Sequence, residues 1–221
     1  MSTSTPTAGP DALMLLGTHC PYCPTVLKGL EELLKSGVIG KLVAVNIEQH
    51  PEFARELKVR SVPWVRIGQF ELEGLRSEKE LRMWAEAVHS ESGIATYLDE
   101  LLSTGKIDQA IRLIKNDPGS IQALLALFSN PETQLNTRIG ISAIMEHLAG
   151  SDLLRRIVDD LGKLSRHDEA RIRGDTAHYL GLTGSRNAVS YLQQLIHDVD
   201  RDVSAVAAES LELIDKQPVD S

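Results

Sequence analysis

The sequence predicts two domains, an α/β domain followed by an all-α domain of helical repeats. Three observations carry this reading. Apolar runs of strand length alternate with helical patterns from residue 11 to 90. From about residue 94 the strand patterns stop and only helical spacing remains. In that second stretch the chain matches itself at an offset of 31 residues. The expected boundaries are 11–90 for the α/β domain and 91–216 for the helical one. A polar, uncharged lead-in over 1–10 is expected to be disordered.

The elements of the first domain follow in order. The run Ala12-Leu13-Met14-Leu15-Leu16-Gly17 reads as a buried strand. After Cys23, the residues Val26, Leu27, Leu30, Leu33 and Leu34 fall on one helical face. Residues 41–47 form a second strand, entered through a turn bracketed by Gly37 and Gly40. Residues 50–57 read as a helix with Pro51 at its first position. A third strand lies within 59–68, with Pro63 where a missing ladder donor demands an edge or a bend. A short strand over 70–74 returns through a turn at Gly68 and Gln69. The last helix, 77–89, puts Leu81, Trp84, Ala85 and Val88 on its apolar face, and Ser77 with Glu80 makes a capping box. The order is βαβαββα.

The tetrad Cys20-Pro21-Tyr22-Cys23 stands where the first strand ends and the first helix begins. These are the only two cysteines of 221 residues. Cysteine used nowhere else, and here twice at C-x-x-C spacing, points to chemistry. The first turn of a helix has unpartnered N–H groups and the positive end of the dipole. A thiolate at Cys20 is stabilised there, below the free thiol value of roughly 8.5. His19 lies next to it, where a protonated ring would add a positive charge, and Pro21 suits a first helical turn. Cys23, one turn further on and more enclosed, is placed to attack a mixed disulfide at Cys20 and release the product. Cys20 is therefore read as the attacking thiolate and Cys23 as the resolving thiol. Structural zinc needs about four ligands, and no second ligand pair exists. A purely structural bridge across three residues closes too small a loop to stabilise much. No metal and no cofactor beyond the cysteine pair itself is expected.

With C-P-Y-C after the first strand and Val62-Pro63 before the third, residues 11–89 resemble a thioredoxin-fold domain of glutaredoxin size. The string Thr18-His19-Cys20-Pro21-Tyr22-Cys23-Pro24 resembles the active sites of glutaredoxin-like protein disulfide oxidoreductases. The resemblance implies a redox-active Cys20–Cys23 disulfide and a cis Pro63 lying against the C-x-x-C. It also implies that the backbone of Val62 binds the substrate's extended chain. Trp64 reads either as a groove-lining residue or as a packed strand residue. Tyr22 is expected to stand exposed, where a partner can touch it. His50 and His89 read as surface residues. Two departures from the families matter. The first strand lacks the buried acid of thioredoxins, and Leu72-Glu73-Gly74-Leu75-Arg76-Ser77 lacks the Gly-Gly and acid of glutathione-binding glutaredoxins. A protein disulfide is favoured over a glutathione mixed disulfide.

In the second domain, Leu161 matches Leu192, Leu164 matches Leu195, Ile172 matches Val203, Ala177 matches Ala208 and Leu180 matches Leu211. Helices near 120–129 and 137–149 align less cleanly, and a pair near 94–103 and 106–116 starts the array. The strings His167-Asp168-Glu169-Ala170-Arg171-Ile172-Arg173 and Asp198-Val199-Asp200-Arg201-Asp202-Val203 resemble the inter-helix turns of HEAT-like repeats. Small residues, Ala177, Ala207 and Ala208, are expected to let neighbouring helices approach. Such arrays expose extended binding surfaces. His147, His167, His178 and His197 are dispersed and form no metal set.

Net charge is −8, and it is uneven. Residues 1–90 hold 10 Lys and Arg against 11 Asp and Glu, whereas residues 91–221 hold 13 against 20. An acidic helical half disfavours nucleic acid as a partner. Arg155, Arg156, Arg166, Arg171, Arg173 and Arg186 read as a solvated face paired with carboxylates rather than as a basic patch. No secretory pattern or membrane span is present in the sequence, so a cytoplasmic location and a resting dithiol are expected. The overall expectation is a thiol–disulfide oxidoreductase acting on a protein disulfide, resupplied by an upstream reductase or thiol donor, with the helical repeats holding a protein partner. The alternatives are a non-catalytic redox-sensing scaffold and a glutathione-linked, glutaredoxin-type protein, including iron–sulfur binding at C-P-Y-C.

Overall fold

The computed structural model describes residues 9–88 and 90–216. Most of the expected lead-in, and His89, lie outside the described residues. The chain divides into two compact units, the first ending at Tyr97 and the second beginning at Leu98.

In the first unit the strands are β1 (Asp11–Leu16), β2 (Lys41–Asn46), β3 (Trp64–Ile67) and β4 (Phe70–Glu73). The helices are α1 (Cys23–Lys35), α2 (Pro51–Glu56) and α3 (Glu78–Ala87). The expected βαβαββα order is the observed one. The sheet runs β2-β1-β3-β4. β1 and β2 are parallel, because α1 carries the chain back between them. Their register pairs Asp11 with Lys41 and ends at Leu16 with Asn46, so the loops leaving both strands emerge side by side. β3 is antiparallel to both β1 and β4. The β3–β4 hairpin closes at Gly68, whose φ of +55° is a left-handed conformation that glycine adopts without strain.

One face of the sheet buries Met14, Ile67, Phe70 and Leu72, while α1 and α3 bury Val26, Leu30, Leu33, Leu81 and Trp84. A smaller cluster of Leu15, Val45 and Trp64 is covered by Phe53, Leu57, Val59 and Val62. α3 starts at the predicted capping box: the Ser77 hydroxyl accepts from the Glu80 N–H, and Glu80 accepts from the Ser77 N–H. Phe70, Trp84 and Tyr97 form an aromatic cluster with ring centroids 4.9 to 5.4 Å apart.

The second unit is helical throughout its described residues. The division between the units falls within α4 (Glu91–Ser103). The helices after it are α5 (Ile107–Asn116), α6 (Ile121–Ser129), α7 (Leu135–His147), α8 (Asp152–Arg156), α9 (Val158–Leu164), α10 (Ala170–Leu182), α11 (Val189–Leu195) and α12 (Arg201–Asp215). The starts of α9 and α10 recur at α11 and α12 with the 31-residue offset seen in the sequence. Like side packs on like. The Tyr191 ring of α11 lies against Gly162 of α9, and Ser210 of α12 lies against Gly181 of α10. Tyr179 of α10 packs its ring against Phe128 of α6 and hydrogen-bonds Ser142 of α7 at 2.8 Å. Burial pushes the Tyr179 phenol up to about 12.

One detail adds to the sequence reading and one differs from it. Close approaches also fall at glycines, Gly140, Gly162 and Gly181, where a Cβ would collide with Leu102, Tyr191 and Ser210 respectively. Ala177 and Ala207 are buried, but Ala208 is exposed, because the face of α12 that bears it meets no other described helix. Four of the six arginines read from charge lie beside carboxylates. Arg155 pairs with Asp152, Arg171 with Asp175, Arg173 with Asp198 and Arg186 with Asp215.

Candidate active site

The site is built at the carboxyl ends of β1 and β2. β1 ends at Leu16, and the loop Gly17-Thr18-His19 leads to Cys20. A turn closes this loop, the Cys20 N–H donating to the Gly17 carbonyl at 3.3 Å. α1 begins at Cys23 with Tyr22 as its N-cap and no side-chain cap. The proline inside the first turn is therefore Pro24. Pro21 lies before the helix and shapes the approach to it. The Cys23 N–H, one of the orphan donors of the helix start, donates to Cys20 Sγ at 3.1 Å. The Cys20 sulfur thus meets a backbone donor at the positive end of the helix dipole.

Cys20 and Cys23 are joined by a disulfide, with Cα atoms 5.4 Å apart. The two sulfurs differ in access. Cys23 is only 4 % exposed, whereas Cys20 is half-buried. An incoming reagent therefore reaches Cys20 first. Tyr22 stands between them at 55 % exposure, and His19 and Pro21 are exposed on either side of Cys20.

The Val62–Pro63 peptide is cis. Pro63 is buried, and its carbonyl accepts from the Gly74 N–H at 2.9 Å. Val62 is half-buried and close to the cysteine loop. A Cβ built on Gly17 would stand 3.4 Å from Val62 Cγ2 and 4.0 Å from Cys20 Cβ. Trp64 is 1 % exposed and packs with Leu15 and Val45. It presents no surface to a substrate and supports the site from within the core.

The structure adds three residues to those expected. Thr18, Asn46 and Glu48 form a polar bracket across the two strand ends. Glu48 is exposed, and no spacing rule singles it out. The signal available in the sequence was indirect: a parallel β1–β2 pair sets whatever follows Asn46 beside whatever follows Leu16. The Thr18 hydroxyl and N–H hold the Glu48 carboxyl below its usual range, with a smaller contribution from His19.

Among the described residues, no group of three His, Cys, Asp or Glu is placed to hold a metal ion. No described helix is long and apolar enough to cross a membrane. Two of the dispersed histidines have local hydrogen-bond partners, Lys115 for His147 and the Glu169 N–H for His167. In the helical unit a groove of about 560 Å³ lies between α10 and α12, lined by Arg171, Asp175, His178, Asp200 and Glu209 among others.

A family model described as a thioredoxin domain matches residues 12–86, from β1 almost to the end of α3. No curated protein matches the chain. The first unit is thus a thioredoxin-like α/β fold followed by a helical region, and its close cysteine pair at the β1–α1 junction supports thiol–disulfide redox chemistry.

Proposed function

We propose that the protein is a thiol–disulfide oxidoreductase that reduces a disulfide in a protein partner, which its helical unit holds. The observation that carries this is the unequal pair: an accessible Cys20 sulfur on a helix N–H, and an enclosed Cys23 one turn behind. In the reduced chain, the Cys20 thiolate attacks one sulfur of the substrate disulfide. A mixed disulfide forms and one substrate thiolate leaves. Cys23 then loses its proton and attacks Cys20 Sγ. The second substrate thiolate leaves, and the Cys20–Cys23 disulfide remains. A dithiol donor, or a reductase of that chemical class, returns the pair to the thiol state.

Val62 offers its backbone, and His19, Pro21 and Tyr22 their exposed surfaces, to the substrate chain around Cys20. The recurrence of helix pairs at 31 residues supports reading 91–216 as HEAT-like repeats, whose stacked faces suit protein binding. The reducing environment that keeps such a pair as a dithiol between turnovers is the cytoplasm.

Capture in cell extract tests both halves. Cys23→Ala should retain partners as mixed disulfides that a reductant releases. The double variant Cys20→Ala/Cys23→Ala should still retain some of the same proteins without a covalent bond. Capture that depends entirely on Cys20 contradicts recruitment by the helices. No capture by Cys23→Ala contradicts the oxidoreductase.

A further inference from the structure

The loop that presents Cys20 has little packing of its own. Thr18 and His19 are exposed, so hydrogen bonds must hold it. Three of them come from, or run through, the end of β2. The Thr18 N–H donates to Glu48 Oε1 at 2.8 Å. Asn46 Nδ2 donates to Thr18 Oγ1 at 3.1 Å. Asn46 Oδ1 accepts from the Glu48 N–H at 2.9 Å. Asn46 thus holds both the loop and the residue that grips it, and Asn46 is itself fixed by its ladder position opposite Leu16.

Gly17 shows how close this bracket lies to the chemistry. A Cβ there would stand 3.3 Å from Glu48 Oε1, 3.4 Å from Val62 Cγ2 and 4.0 Å from Cys20 Cβ. The carboxylate, the residue before the cis-proline and the outer cysteine converge on one glycine, with no side chain between them.

We propose that Glu48 is a positioning residue of the exchange site, which holds the Gly17-Thr18-His19 loop through the Thr18 N–H and so keeps Cys20 Sγ on the Cys23 N–H. The inference rests on the reading of Cys20 as the attacking thiol. It assigns Glu48 no proton transfer. Its role is to limit the loop to the arrangement in which the helix start stabilises the thiolate. Charge acts in the other direction, since a carboxylate near Cys20 disfavours a second negative charge.

A pair of neutral variants separates the two effects. Glu48→Gln and Glu48→Ala both remove the charge, but only the glutamine keeps an oxygen for the Thr18 N–H. In a full-length Cys23→Ala background a single thiol remains, and its alkylation by iodoacetamide is followed against pH. The alkylation midpoint of Glu48→Ala should lie above that of Glu48→Gln. With both cysteines present, single-turnover reduction of a disulfide-bonded peptide should slow about tenfold in Glu48→Ala, the order expected for one lost charge-assisted hydrogen bond. Glu48→Gln should recover most of that loss. Asn46→Ala, which leaves the carboxylate but frees it, should shift the midpoint upward relative to the parent chain. Coincident profiles for the alanine and glutamine variants overturn the positioning role while leaving the exchange reading intact. A parent chain whose Cys20 shows no thiolate reactivity at any pH overturns the exchange reading, and the proposal with it.

Discussion

At the scale of single residues, Arg173 shows how the helical unit is held between successive helix pairs. Its Nε and Nη2 donate to the two oxygens of Asp198 at 2.7 and 2.8 Å, and its Nη1 donates to the carbonyls of His167 and Asp168 at 2.9 Å each. One guanidinium therefore ties the turn before α10 to the turn before α12. Both side chains are largely buried, with relative exposures of 13 % and 8 %. Removing one partner strands the other, so Arg173→Ala should cost about 3 kcal/mol in denaturant unfolding. Arg173 also holds the Asp198 carboxyl below its usual range. A depressed carboxyl contributes stability above its unfolded pKa, and that contribution is lost as pH falls through the lower folded value. Acid titration of the wild type should show this loss below the ordinary carboxylate range, and Arg173→Ala should lack it.

At the scale of elements, close packing in the second unit depends on glycines as well as on its buried alanines. A Cβ at Gly181 would stand 2.8 Å from Ser210 Cβ and 3.2 Å from Ser210 Cα, so α12 sets a backbone limit that no rotamer change relieves. Gly181→Val should therefore destabilise the protein by about 2 kcal/mol in chemical denaturation, even though glycine is the poorer helix former. An unchanged unfolding midpoint would mean that α10 and α12 are not this close.

What the sequence showed, and what it hid, follows from the range of each interaction. The capping box of Ser77 and Glu80, the helical face of Val26, Leu30 and Leu33, and the cysteines at a strand-to-helix junction are local patterns, legible without a fold. The identity of the proline in the first turn of α1, Pro24 rather than Pro21, depends on where the helix starts to within a residue, which periodicity leaves open. Glu48 depends on strand register, and Gly162 and Gly181 depend on which helices become neighbours. Neither is encoded in local spacing. Ala208 matched Ala177 in the repeat alignment, yet one is exposed and the other buried, because burial is set by the next helix and not by the repeat itself.

At the scale of the whole molecule, the chain joins a thioredoxin-like unit, with a cysteine pair at one strand-to-helix junction, to a helical unit. The division of labour proposed for them stands on Cys20 acting first and Cys23 second. The most direct test mixes the reduced, purified full-length chain with one equivalent of a disulfide-bonded protein and follows covalent adducts and released thiols over time. The wild type should release both substrate thiols and end as the Cys20–Cys23 disulfide. Cys23→Ala should stop at a covalent adduct through Cys20, and Cys20→Ala should form none. An adduct that forms through Cys23 in the Cys20→Ala variant as readily as through Cys20, or wild-type chains that leave the substrate disulfide intact, would contradict the account.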